Sequence, residues 1–211
     1  MTKLLPIDPI SKTVQQRIKK YYQLDSDVIY PPVNLGTLSL PGDFFLIVSR
    51  LTPNKRLDLA IAAFNRLGLP LVIVGAGSEE KKLKQLAKSN IKFVGNLTDA
   101  ELAGYYRTCR AVVIPGVEDF NIVAVEAQSF GKPVIAYGTG GVTEIVIENK
   151  TGWFFKEHNS QSLIDLISKI NWKSFDNKDC QTNARRFSKE RFLKKFKTYV
   201  EITYRQYVRQ N

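Results

Sequence analysis

The sequence has a single histidine, His158, and only two cysteines, Cys109 and Cys180. So few soft ligands exclude an imidazole–thiolate metal site and a disulfide framework, and neither cysteine sits in a redox or metal-ligand motif. No run of about 18 apolar residues occurs, so the pattern holds no membrane-spanning helix. The opening MTKLLPIDPI lacks the apolar core and small-residue cleavage site of a secretory leader. Internal repeats and low-complexity tracts are absent as well. These absences lead us to expect a cytoplasmic protein.

Positive charge is abundant. Thirty-one Lys and Arg against 20 Asp and Glu give a net charge of +11 over 211 residues. An excess of this size favours polyanions: nucleic acid, an anionic membrane face or a phosphorylated ligand. Many of the cations cluster at Arg17, Lys19 and Lys20, and again from Arg185 to Arg209. They read first as solvated helix faces and second as a surface for peripheral association with the inner face of a membrane. Nucleic acid is disfavoured, because no module of cations interleaved with aromatics accompanies the charge.

From residue 44 onward, short apolar runs rich in β-branched residues alternate with helical patterns. The runs are FFLIVS (44–49), LVIV (71–74), IKFVG (91–95), AVVIP (111–115) and PVIAY (133–137), with WFF after Gly152 as an edge strand. Leu57, Ala60, Ile61 and Phe64 show the three- and four-residue spacing of one buried helix face. Further helices are expected near Glu79, Asp99 and Ile122 and over 160–170. Uniformly apolar runs suit strands buried on both sides, and their alternation with helices predicts an α/β fold, a doubly wound parallel sheet. The tail from Asp179 to Val208 reads as two helices, the last capped by Ser188 without a capping box. The chain thus divides into an entry segment (1–40) with one short helix, a Rossmann-like domain (41–175) and C-terminal helices (176–211). Nothing before residue 40 could build a second α/β domain.

Ligands of such sheets bind beyond the carboxyl ends of the strands. Arg50 and Lys55 lie in the loop after the first strand, where a planar fork and a mobile ammonium can grip a diphosphate. Taken alone, they also fit two solvated loop cations. PGVEDFNIVAVEA places Glu118 before a helix and Glu126 in its second turn, with seven residues between. Carboxylates there can accept bonds from sugar hydroxyls while the first-turn N–H groups face phosphate oxygens. A general acid–base pair fits less well, with one carboxylate on an exposed loop and the other inside a helix. Gly75 and Gly77 lack the third glycine of a dinucleotide fingerprint. Gly140 and Gly141 suit a tight turn into a short helix containing Glu144, and in both loops turn chemistry competes with a ligand contact.

Together, SRLTPNKR, LVIVGAGSEE, IKFVGNLTD and VEDFNIVAVEAQSFGKPVIAYGTGGVTEIV resemble the donor-binding, C-terminal half of group 1 retaining glycosyltransferases with the GT-B fold. The resemblance runs from about residue 28 to the C-terminus, and SRLTPNKR with EDFNIVAVEAQ is most similar to the GDP-mannose mannosyltransferase branch. It implies that Arg50 and Lys55 hold the donor diphosphate, Glu126 the ribose and Glu118 the transferred sugar. Main-chain groups of Phe120, Asn121 and Ile122 would meet phosphate and sugar, and those of Gly95, Asn96 and Leu97 would border the base. It further implies a metal-independent reaction without cofactor, in which cations and helix N-termini stabilise the departing diphosphate.

Two departures stand out. Asn121 replaces the usual glycine, where its amide is expected to reach the donor hexose, and Asp119 stands where glycine or serine is common outside the mannosyltransferase branch. The family's N-terminal acceptor-binding domain is missing, so the chain alone is expected to bind a nucleotide-sugar and transfer nothing. MTKLLPIDPI resembles nothing in the family. Rival readings are a nucleotide-sugar epimerase, which would need its own acid–base pair, and a phosphorylase, which would need a pyridoxal lysine. A non-enzymatic module binding nucleotide or membrane is the third.

Overall fold

The computed structural model describes residues 8–39, 42–172 and 175–210. The boundary expected at 40/41 and most of MTKLLPIDPI lie outside the described residues. Six parallel strands form one open sheet in the order β3-β2-β1-β4-β5-β6. They are β1 (Phe44–Val48), β2 (Leu71–Val74), β3 (Ile91–Gly95), β4 (Cys109–Ile114), β5 (Val134–Tyr137) and β6 (Gly152–Phe155). The chain winds outward from β1 to β3, returns to β4 beside β1, and winds outward again. The order therefore reverses between β1 and β4, which opens a crevice at their carboxyl ends.

Side chains alternate along each strand and feed two cores. Phe45, Ile47, Ala111, Val113 and Ile135 pack under α2 (Leu57–Leu67), α3 (Glu80–Leu86) and α7 (Ser160–Lys169). Leu46, Val112, Ile114, Val134 and Ala136 pack on the other face, under α4 (Asp99–Thr108), α5 (Ile122–Ser129), α6 (Val142–Ile145) and α8 (Asn177–Ala184). Both sides are covered, which is why the central runs FFLIV, LVIV, AVVI and VIAY are apolar. Helix starts carry their own signals. Thr98 and Glu101 form a capping box on α4, and Asn159 caps α7.

The entry segment contributes α1 (Lys12–Tyr22), capped by Ser11. Its N-terminus is received by Glu144 of α6, which accepts from the N–H groups of Lys12 (2.8 Å) and Thr13 (2.9 Å) and from the Tyr30 hydroxyl (2.9 Å). A carboxylate at a helix N-terminus gains from both the free donors and the dipole. Burial first, and then the Glu144 carboxylate, push the Tyr30 phenol up to about 12, so it stays a donor. At the other end, α9 (Lys189–Gln210) begins at Ser188, whose hydroxyl accepts from Arg191 N–H at 3.4 Å.

Candidate functional site

A cleft of about 400 Å³ opens where β1 and β4 part. Ser49, Arg50 and Lys55 line one side, and residues 113–116 and 118–123 the other; Ile10 and Pro31 of the entry segment complete the rim. Arg50 leaves the end of β1 exposed to solvent. Lys55 instead ends a short 3-10 turn, Pro53–Lys55, and is only 9% exposed. Gly116 brings the β4 exit against that turn, since a Cβ there would lie 2.9 Å from Asn54 O and from Lys55 Cα. The backbone contact positions the ammonium, and Lys55 Nζ donates to Glu118 Oε1 across the cleft floor. Glu118 is thus partly buried and paired, where the sequence suggested an exposed loop. Arg17 of α1 pairs with the neighbouring Asp119 at the rim.

The loop 115–121 is braced from behind. His158 Nε2 meets the Pro115 carbonyl at 2.8 Å, which requires the proton on that nitrogen, while its ring stacks on Tyr137 at 4.2 Å. Gly141 N–H donates to the Glu118 carbonyl at 2.8 Å. A Cβ on Gly141 would sit 2.2 Å from Asp119 O, and one on Gly140 (φ +83°) 2.6 Å from Glu118 O. These two glycines therefore serve the close passage of two loops, the turn-chemistry alternative. Phe120 is buried against Tyr30 and Phe187, leaving only its main chain for the cleft.

Asn121 has φ +88°, a left-handed backbone that asparagine tolerates better than other non-glycine residues. Its Oδ1 accepts from Ala124 N–H at 2.9 Å and so caps α5. The amide oxygen expected at the hexose is therefore already engaged within the protein. Helix geometry leaves the N–H groups of Ile122 and Val123 without intrahelical acceptors, and both residues line the cleft.

A second hollow of about 370 Å³ adjoins the first through Val48, Ser49, Arg50 and Val123. Gly75, Asn96 and Leu97 also line it. Gly95 closes β3 (φ +69°), and its carbonyl accepts from Gly75 N–H at 2.7 Å. Gly77 does not line the hollow; a Cβ there would strike Leu51 O at 2.4 Å, so it lets the 75–80 loop lie against the β1 loop. Glu126 follows Val123 by three residues on the same helix face. It is partly buried, and its Oε2 accepts from Tyr106 Oη of α4 at 2.8 Å. Burial raises the Glu126 pKa, the Tyr106 bond opposes the shift, and nearby Asp99 adds to it. Burial likewise raises Tyr106 well above the ordinary phenol value. The sequence pointed to Glu126 but not to Tyr106, which lies twenty residues away on another helix.

Two cations and a helix N-terminus at the cleft can hold a phosphorylated ligand, whereas the partly buried Glu126, one turn beyond Val123, is not among the residues lining the cleft or the hollow. Among the described residues no group of three or more His, Cys, Asp or Glu could hold a metal ion, and no helix is long and apolar enough to cross a membrane. The thiols of Cys109 and Cys180 are buried, and burial raises both pKa values, which leaves them unreactive.

The fold and cleft define a doubly wound α/β domain of the GT-B glycosyltransferase type. The family model for glycosyl transferases group 1 matches residues 38–187, and the chain belongs to that family. It is 30% identical over 188 residues to an uncharacterized glycosyltransferase of Methanocaldococcus jannaschii, covering 86% of this chain and 54% of that protein. A D-inositol 3-phosphate glycosyltransferase of Mycobacteroides abscessus is 30% identical over 171 residues (68% and 38% covered). The O-antigen chain mannosyltransferase C of Escherichia coli is 31% identical over 156 residues (69% and 42% covered). The chain spans about half the length of these curated relatives or less. Among solved structures, Anabaena HepE in complex with UDP and glucose superposes with a TM-score of 0.81 at 21% identity, covering 93% of this chain and 62% of that one. At that identity the likeness shows the fold.

Proposed function

We propose that this chain is the donor-binding half of a retaining glycosyltransferase that moves mannose from GDP-mannose to a glycan or lipid-linked acceptor. The observation that carries this reading is the cleft at the strand-order reversal, where Arg50 and Lys55 face Glu118 and the first turn of α5. In it, Arg50 and Lys55 hold the diphosphate together with the N–H groups of Ile122 and Val123. Glu118 accepts from hydroxyls of the transferred sugar. Glu126, oriented by Tyr106, accepts from the ribose, and the base lies along Gly95, Asn96 and Leu97. As the anomeric bond to the diphosphate breaks, negative charge grows on the leaving oxygens. Fixed cations and helix N–H groups favour that state without rearranging. The acceptor enters on the same face, held by a further domain of the kind that would account for the greater length of the relatives. The resemblance of SRLTPNKR and EDFNIVAVEAQ to mannosyltransferases, and the mannosyltransferase among the relatives, support the choice of sugar.

Isothermal titration with GDP, GDP-mannose and UDP-sugars tests the reading. GDP-mannose should bind with Kd of about 10 µM to 1 mM, weak because the cleft is open on one side. The chain alone should transfer no sugar. A preference for UDP-sugars overturns the mannosyl assignment, and failure of every nucleotide to bind overturns the donor site. Efficient transfer by the chain alone overturns the need for an acceptor domain.

A further inference from the structure

The one imidazole of the chain stands behind the cleft wall. His158 sits in the short connection between β6 and α7. Capping bonds fix the backbone on both sides of it: Ser162 N–H donates to Asn159 Oδ1 at 2.9 Å, and Glu157 N–H to Ser162 Oγ at 3.2 Å. The ring lies flat on Tyr137, the last residue of β5, with centroids 4.2 Å apart and planes 5° from parallel. Held in this way, its Nε2 reaches the Pro115 carbonyl at 2.8 Å. His158 is not among the residues that line the cleft, so it cannot serve as acid or base to a ligand there.

The Pro115 carbonyl stands where the sheet ladder stops. β4 and β5 pair through Ile114 and Ala136, and Pro115, next along, has no N–H to carry the ladder on. Pro115 is buried, and its carbonyl still needs a donor, because a buried acceptor left without one is costly. His158 supplies it. A donor on that oxygen orients the whole planar peptide group, which includes the N–H of Gly116. Gly116 in turn has no room for a β-carbon against Asn54 O and Lys55, and Glu118 follows two residues later. The 115–116 peptide therefore joins the two halves of the Lys55–Glu118 pair.

We propose that His158 is a positioning residue of the donor cleft. By holding the Pro115 carbonyl it sets where Gly116 meets the Lys55 turn, and so where the ammonium stands for a diphosphate. The proposal rests on the donor-site reading above and adds to it a residue from outside the cleft.

Two variants separate the hydrogen bond from the packing. His158→Phe keeps an aromatic ring to stack on Tyr137 and loses the donor. His158→Gln gives up the ring and carries an amide N–H the same number of bonds from the backbone as Nε2. Isothermal titration should find GDP weakened about three- to tenfold in the phenylalanine variant, the usual worth of one hydrogen bond, with guanosine changed by less than about twofold. The glutamine variant should stay within about twofold of the parent for both ligands. Because the chain has one histidine, its ring nitrogen NMR spectrum needs no assignment, and the neutral ring should carry its proton on Nε2.

A neutral ring protonated on Nδ1 overturns the proposal, since Nε2 could then only accept. So does a phenylalanine variant that binds GDP like the parent, or one that loses GDP and guanosine equally, which leaves His158 a purely structural part. If the parent chain binds no nucleotide, the donor-site reading fails, and the placement of the loop is read without ligand. Amide exchange over residues 116–121 should then quicken in the phenylalanine variant and be restored by glutamine. Unchanged exchange there overturns the positioning role itself.

Discussion

Lys55 and Glu118, 63 residues apart in sequence, meet as an ion pair on the floor of the cleft. The two residues assigned to phosphate and sugar therefore neutralise each other when the cleft holds no ligand. An incoming diphosphate must share Lys55 with Glu118. Glu118→Gln should release the ammonium and tighten GDP by about two- to fivefold, the usual worth of a partly exposed pair. The same change should weaken GDP-mannose relative to GDP. Isothermal titration of both ligands reads the ratio, and an unchanged ratio would remove Glu118 from the sugar.

The cations themselves should differ. Lys55 is buried and held, so Lys55→Ala should weaken GDP by about 10- to 100-fold, in line with roughly 1.5–3 kcal/mol for a charge-assisted bond. Arg50 is exposed, and Arg50→Ala should cost nearer tenfold. Guanosine should be almost indifferent to either change, and the salt dependence of GDP binding should flatten. Equal losses for GDP and guanosine would point to misfolding instead.

Glu126 carries a sign that can be worked out. Its folded pKa is raised, chiefly by burial, so its charged form costs stability that is lost as pH rises through that pKa. At neutral pH, Glu126→Gln should therefore unfold at a slightly higher temperature than the parent. The advantage should vanish in acid, where the carboxyl is protonated in both states. Ribonucleotide binding should show the reverse, falling as pH drops through the raised pKa, with 2′,3′-dideoxynucleotide unaffected. Calorimetry across pH and paired titrations check the two halves.

The sheet was open to reading because strands buried on both sides leave apolar runs rich in β-branched residues, as at β1, β2, β4 and β5, while the edge strands β3 and β6 are only partly buried. Arg50, Lys55, Glu118 and Asn121 all line the cleft because residues in the loops after β1 and β4 have little choice of place. Other features depend on contacts between distant segments. Tyr106 beneath Glu126, Arg17 on Asp119 and Glu144 at the foot of α1 are each set by how helices dock, which no local spacing records. The capping box at Thr98 and Glu101, by contrast, is written in the local spacing, threonine followed three residues later by glutamate.

Asn121 tests whether that position governs sugar choice or loop shape. Asn121→Gly removes the cap on α5 but suits φ +88°, so it should cost only a few tenths of a kcal/mol. Asn121→Ala loses the cap and keeps a β-carbon in a left-handed backbone, at about 1–3 kcal/mol. Urea unfolding separates the two. With its oxygen engaged by Ala124, the glycine variant should leave the GDP-mannose to GDP ratio within about twofold. A larger change would show that the remaining amide nitrogen reaches the hexose.

Gly141→Ala should be the most damaging small change in the cleft. Its β-carbon would displace residues 119–120 and break the bond to the Glu118 carbonyl. A loss of about 1–3 kcal/mol in urea unfolding is expected, with nucleotide binding reduced more than stability alone explains. An unimpaired variant would mean that the two loops are free to separate.

The seat of α1 has a mechanical consequence. Glu144 grips the first turn of that helix, and three residues earlier Gly141 grips the backbone of Glu118. Arg17 adds a second tie, to Asp119. Traction on the chain ahead of α1 is therefore delivered to the cleft floor through one short span of the 140–144 loop, without passing through the sheet. A ligand that stiffens the loop around Glu118 must, by the same route, stiffen the seat of α1. The first helix and the cleft floor are thus tied to one another through this single loop and the Arg17–Asp119 pair.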